Sequence, residues 1–144
     1  MKRWVLSGLI AMFCVTNSVA QEPGKSDRKG GDSKVKHDVV VSGYLTDLNG
    51  KYRLRVSETT FNPGGYAGDH HHAAPGIRVI TAGELTLTQD GKIKIYKAGD
   101  AYYESGDVTT SIQNKGKVPL VLLNFEILPV DWKGSSNIPV KAKK

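Results

Sequence analysis

The sequence predicts an all-β fold, a sandwich or a closed barrel, on three observations. From Asp38 onward, short apolar runs are punctuated by Gly, Asn, Asp and Pro. Several runs alternate apolar and polar residues with the period of two that a half-buried strand requires. No stretch carries a helical period. About eight such segments, each closed by a tight turn, suit a two-sheet or closed architecture.

The elements follow in order. Residues 39–46 form the first expected strand, ended by the Asn49-Gly50 turn. Residues 51–61 come next, with Tyr52, Leu54 and Val56 on one face and Arg53, Arg55 and Ser57 on the other. Asn62-Pro63-Gly64-Gly65 breaks the chain. Residues 77–81 resume as a strand that Gly83 turns, and Leu85 and Leu87 then alternate with Thr86 and Thr88. Asp90-Gly91 is a hairpin signal leading into Ile93 and Ile95. Residues 101–105, 108–113 and 120–128 complete the set. The last is apolar on both faces and is expected to be central and well covered. The segment after Pro129, with Trp132, is expected to wrap outside, and the final lysines to be loose.

The two ends read differently. Lys2 and Arg3, an apolar run over 4–15 and Ser18-Val19-Ala20 make residues 1–20 a signal peptide, cleaved before Gln21. The apolar run is shorter than the roughly 20 residues a spanning helix needs, so no membrane span is expected after cleavage. The product would be periplasmic or secreted. Cys14, the only cysteine, leaves with the signal, and Met12-Phe13 do not suit a lipoprotein site. The mature chain therefore has no disulfide and relies on its core, with help from an ion or a partner subunit. Residues 21–37 are rich in Gly, Ser, Lys and Asp and are expected to be a disordered leader. Residues 38–130 would form one barrel domain and 131–144 a tail.

After cleavage, 18 basic side chains face 14 acidic ones, a net charge of +4. Many of the lysines sit near the ends, at 25, 29, 34, 36, 141, 143 and 144. This argues for solubility or weak adhesion to anionic surfaces and against a nucleic-acid groove, and the lack of aromatic–basic interleaving also counts against the groove. No nucleophile elbow accompanies the histidines, and Gly64-Gly65 does not open a helix as a phosphate loop would.

Chemistry concentrates in residues 64–83, GGYAGDHHHAAPGIRVITAG. Alternate residues of a strand share a face, so His70 and His72 point together while His71 and Asp69 point away. Two imidazoles on one inner face are half of a transition-metal site; the other reading is a solvated polar turn.

The spacing goes further, for it resembles the first cupin motif, G-x5-H-x-H-x3-E-x6-G. Gly64, His70, His72 and Gly83 fall in place, with Gly76 at the glutamate. The second motif, G-x5-P-x-G-x2-H-x3-N, lies on 99–114. Gly99 and Asn114 match, whereas Ser105, Asp107 and Thr110 stand at the proline, second glycine and histidine. The resemblance covers about residues 39–128. It implies a cupin-type double-stranded β-helix, or jelly-roll barrel, which commonly pairs as a homodimer through its sheets. It also implies a divalent transition metal (Fe, Mn, Ni, Cu or Zn) and oxygenase, isomerase or lyase chemistry on a small molecule. Two of its four ligand positions are altered here. Glu104, on the strand face of Tyr102, is the replacement ligand if it faces inward, and an exposed strand-end carboxylate otherwise. The turn at 105–107 resets the parity and leaves this open. Thr110 either orients a bound water or marks a lost ligand. The alternative is a barrel with a decayed metal site, lined by Tyr102, Tyr103 and the histidines, that binds a sugar or organic acid without catalysis.

Overall fold

The computed structural model describes residues 27–140. Its strands are β1 (Arg28–Val40), β2 (Tyr52–His72), β3 (Gly76–Ala82), β4 (Glu84–Gln89), β5 (Lys92–Lys97), β6 (Ala101–Glu104), β7 (Thr110–Gln113), β8 (Leu120–Pro129) and β9 (Asn137–Pro139). Neighbours run β5-β4-β7-β2-β8-β3-β6, with β1 and β9 also on β2. Every pairing is antiparallel. None of the described residues form a helix long and apolar enough to cross a membrane.

The architecture depends on β2. Its first half pairs with β8, from Tyr52 opposite Pro129 to Phe61 opposite Leu120. Its second half pairs with β7 and β9. The turn signal at 62–65 does not end the strand; it bends it, with Gly64 at φ 76°, and carries one strand through both layers. The all-β barrel expected from the sequence is thus what the chain forms. Phe61, Ile80, Leu85, Leu87, Leu120 and Leu122 fill its interior. Each such side chain taken from water contributes about 1.5–3 kcal/mol. The β4–β5 hairpin turns at Asp90 (φ 48°) and Gly91 (φ 76°), the doubly left-handed turn that Asp-Gly favours.

Both ends depart from expectation. The signal peptide, residues 21–26 and the last four residues lie outside the described residues. Residues 28–37, expected to belong to a disordered leader, are instead part of β1, which follows β2 around its corner from Arg28 opposite Ala67 to Val40 opposite Arg53. Polar composition hid the strand because its hydrogen bonds are made by backbone, which composition does not report. The expected strand at 39–46 accordingly ends at Val40. At the other end, the tail expected to wrap outside returns to the barrel: β9 pairs with His70, His71 and His72, and Ser136 is buried beside it.

The face of β2 that points inward is the polar one. Arg55 and Thr59 are buried, whereas Leu54 is 46% exposed. A polar inner wall beside an apolar outer one is the inverse of an ordinary half-buried strand, and it indicates that the barrel holds something other than a hydrophobic core at this end.

Candidate metal centre

His70 and His72 lie two apart on β2, so the pleat turns both rings into the barrel. His70 is 2% exposed. The rings meet edge to face at a centroid distance of 5.0 Å, with Nε2 atoms 3.2 Å apart. Glu104, the last residue of β6, is 1% exposed, so it faces inward and is not an exposed strand end. Its Oε2 lies 3.3 Å from His72 Nε2. One donor atom from each of the three residues falls within 4.8 Å of the others.

The register explains how Glu104 takes this place. Gly76, at the motif's glutamate position, is the direct cross-strand partner of Glu104. The carboxylate stands one strand over from the motif position, at the same level of the barrel. Arg78, on the same face of β3 as Gly76 and 1% exposed, occupies the space a side chain at 76 would take. A Cβ at residue 76 would overlap its Nη1 and the Phe125 carbonyl oxygen. Only glycine, with no Cβ, leaves this guanidinium and the Phe125 carbonyl where they are.

Arg78 organises two carboxylates. Its Nε donates to Glu104 Oε2 at 3.1 Å and its Nη2 to Glu126 Oε1 at 3.2 Å. Glu126 also accepts from the Ser136 hydroxyl at 2.5 Å. Glu104 Oε1, by contrast, is buried with no hydrogen-bond partner among the described residues. A buried acceptor left in this state costs about 1–3 kcal/mol or more, so a site that needs that oxygen is a physical reason for it to stay bare.

Proton placement points the same way. His70 Nδ1 lies 2.7 Å from the Gly68 carbonyl, which accepts only, so Nδ1 carries the proton and Nε2 a lone pair. His72 has two arrangements. With the proton on Nδ1 it donates to Glu126 Oε1 at 3.2 Å, and its Nε2 lone pair faces that of His70. With the proton on Nε2 it donates to His70, and Nδ1 accepts from Arg78 Nη2 at 3.1 Å. The first arrangement needs a cation between the rings. Within the cluster itself one guanidinium, that of Arg78, stands between two carboxylates. Two of the spacings, 3.2 Å between the Nε2 atoms and 3.3 Å from His72 Nε2 to Glu104 Oε2, fit as well. Ligand atoms about 2.0–2.2 Å from one ion lie about 2.8–3.6 Å apart at octahedral to tetrahedral angles. Two imidazoles and a carboxylate are the donor set of first-row divalent ions.

Burial pushes the His70 imidazolium pKa down; the Gly68 hydrogen bond and the Glu104 charge oppose this, and the charges of His72 and Arg78 add to it. Burial pushes the Glu126 carboxyl up, but the His72 hydrogen bond, the Arg78 charge and the Ser136 hydroxyl outweigh it and hold the pKa below its ordinary value. Both are depressed folded-state values, so the stability they confer is present above the unfolded pKa and lost as pH falls through the folded one. The metal-free protein is expected to begin losing stability as pH drops below about 6.5, where unfolded histidine takes up its proton. A second loss should follow below the ordinary glutamate range. Urea midpoints from pH 8 to 3 check this, and His70→Gln should remove the first step alone.

A cavity of about 390 Å³ opens beside this cluster, within the size range of small-molecule sites. His70, His72, Glu104, Tyr102 and Thr110 all line it. Tyr102 stacks on Tyr96 at 4.8 Å, and burial pushes its phenol well above the ordinary range. Thr110 is opposite His70 in the ladder and 1% exposed, with its hydroxyl donating to the Val108 carbonyl at 3.4 Å. Tyr103, expected among the lining residues, is 60% exposed and faces out, as strict alternation with Tyr102 requires. His71 bonds Thr109 at 3.0 Å away from the cluster, and Asp69 is exposed. Sequence reasoning missed Arg78, Glu126 and Ser136. The signal for the first two was a lone charged residue on the inward parity of an apolar strand. Asn114, the motif asparagine, holds the fold together and stays out of the cluster. It is fully buried, and its amide donates to the Phe61 and Val118 carbonyls.

Comparison with known proteins agrees with the fold. The family profile of the cupin domain matches residues 57–126. Over 82 residues the chain is 30% identical to mannose-1-phosphate guanylyltransferase of Escherichia coli (strain K12), covering 56% of this chain and 17% of that protein. The chain thus spans about a sixth of that relative's length. Among solved structures, a cupin-like protein of Thermotoga maritima superposes with a TM-score of 0.56 at 25% identity, over 78% of this chain and 84% of that one. A cupin 2 domain-containing protein of Halorhodospira halophila gives 0.57 at 16% identity, over 78% and 72%. An RmlC-like cupin of Shewanella frigidimarina gives 0.53 at 17%, over 74% and 87%. With both motif frames, a barrel of the expected topology and these likenesses, the chain belongs to the cupin superfamily.

Proposed function

We propose that the protein is a metal-binding cupin in which His70, His72 and Glu104 hold one first-row divalent ion at the wall of a small-molecule cavity. The observation that carries this reading is the buried Glu104 carboxylate, with Oε2 3.3 Å from His72 Nε2 and Oε1 bare among the described residues, beside two Nε2 atoms 3.2 Å apart. Residues 1–20, read as an export signal, support a periplasmic or secreted location for the activity. A bound ion would polarise a ligand oxygen or activate water, which suits oxygenase, isomerase or lyase chemistry. Arg78 fixes Glu104, the Gly68 carbonyl and Glu126 orient the two rings, and Tyr102 and Thr110 shape the wall. Elemental analysis of the reconstituted protein should find about one ion per chain; the absence of any ion would sink the reading. In that case the alternative gains, a decayed site binding a sugar or organic acid with chelator-resistant affinity.

A specific observation also favours a homodimer. The outer face of β1, β2, β8, β3 and β6 carries an uncharged row: Val39 opposite Leu54 opposite Ile127, then Val56, Phe125, Ile77 and Tyr103 in adjoining register. Six of these seven are 39–60% exposed, Val56 being the exception. A largely apolar row, with His37 opposite Val56 and the Lys36–Glu58 pair beside it, suits a second copy of itself across a two-fold axis. Light scattering should report twice the chain mass, reduced to one chain in Phe125→Asp; a wild-type monomer would refute it.

A further inference from the structure

Three arginines line the cavity, and two of them are matched. Arg55 pairs with Asp38 at 3.2 Å, and Arg78 with Glu104 and Glu126. Arg28, the first residue of β1, has no ion-pair partner among the described residues, and its Nε and Nη2 are buried without an acceptor. Its guanidinium lies 4.9 Å from the centroid of the Phe61 ring. The gap that admits it is made by Gly31, where a Cβ would overlap both Phe61 and Arg28. Burial lowers its pKa, and Asp32 only partly opposes this. An unmatched cation held at a cavity wall is relieved by an anion.

Its position defines what kind of anion. Arg28 sits opposite Ala67, three residues along β2 from His70, which is about 10 Å at the strand rise. Part of the wall is apolar, for Phe61, Ala67 and Leu122 are fully buried and Ile112 adjoins them, while Ser57, Thr59 and Asn124 also line the cavity. We infer that the cavity binds an organic carboxylate with an apolar body, its charged group on Arg28 and its other end directed toward the His70/His72/Glu104 cluster. This deepens the small-molecule reading above and rests on it, while the Arg28 contact itself needs no metal.

The test uses hexanoate, adipate and hexan-1-ol as probes, by calorimetry on chelator-treated and on zinc-loaded protein. Hexanoate should bind the chelator-treated protein and hexan-1-ol should bind at least about tenfold more weakly, the discrimination expected of one charge-assisted pair. Arg28→Gln should lower hexanoate affinity by about the same factor, and Arg28→Lys should keep part of it. Zinc should strengthen adipate more than hexanoate. Equal binding of hexanoate and hexan-1-ol, no binding of either acid, or an Arg28→Gln variant of unchanged affinity would each overturn the proposal. Hexanoate binding with adipate no tighter in zinc than in chelator would leave the Arg28 contact in place and remove the contact with a bound ion, so the two failures are separable.

Discussion

Replacing Arg78 with Met is expected to destabilise the protein by about 3–5 kcal/mol, the cost of breaking a buried ion pair from one side. The side chain is 1% exposed and lies between two carboxylates that are 1% and 4% exposed. Methionine fills much of the volume, so the loss is electrostatic and not a cavity. Of a typical total stability of about 5–15 kcal/mol, this is a large share. Arg78→Lys should recover only part, because an ammonium cannot reproduce the forked contacts to Glu104 and Glu126. The combination Arg78→Met, Glu104→Gln, Glu126→Gln should recover more, since no charge is then stranded. Urea midpoints at pH 7 check the series. Equal stability of wild type and Arg78→Met would show that the carboxylates are not relying on Arg78.

The second large effect concerns the ion. With a divalent metal at 100 times its dissociation constant, wild-type protein should gain about 2.7 kcal/mol, read as a raised unfolding midpoint in zinc or manganese over chelator. His70→Ala/His72→Ala should abolish the gain and drop bound metal below about a tenth of an equivalent. Glu104→Gln should weaken binding strongly while leaving the Arg78 Nε contact an amide oxygen to use. His71→Ala is the control, since His71 bonds Thr109 outside the cluster. If His71→Ala and the double variant lose metal equally, the histidines bind as a disordered run and not as the geometry arranges them.

Much of the barrel was legible because turns and alternation are local. Asp90-Gly91, Gly83 and Asn62–Gly65 each announced a change of direction that the backbone makes. Gly83, at φ 74°, also abuts the Pro119 carbonyl, with no room for a side chain. His70 and His72 were legible for the same reason, as a parity pair on one strand. Glu104 was not, because its inward direction depends on register with Gly76 across two strands and on no local pattern. Arg78 and Glu126 stood in plain view as single charges within GIRVITA and LVLLNFEILP, but their meaning requires knowing that they meet. β1 and β9 were missed because polar segments that only add backbone hydrogen bonds to an existing edge leave little trace in hydropathy.

Gly76 and Arg78 constrain each other. A glutamate placed at 76 would collide with Arg78, and a chain that gave up Arg78 alone would strand Glu104 and Glu126 without their cation. Each single change is therefore unfavourable, although the two together need not be. The site is held in place by the mutual dependence of its own residues, much as a ratchet holds a wheel, and a glutamate at 76 demands a coordinated substitution at 78.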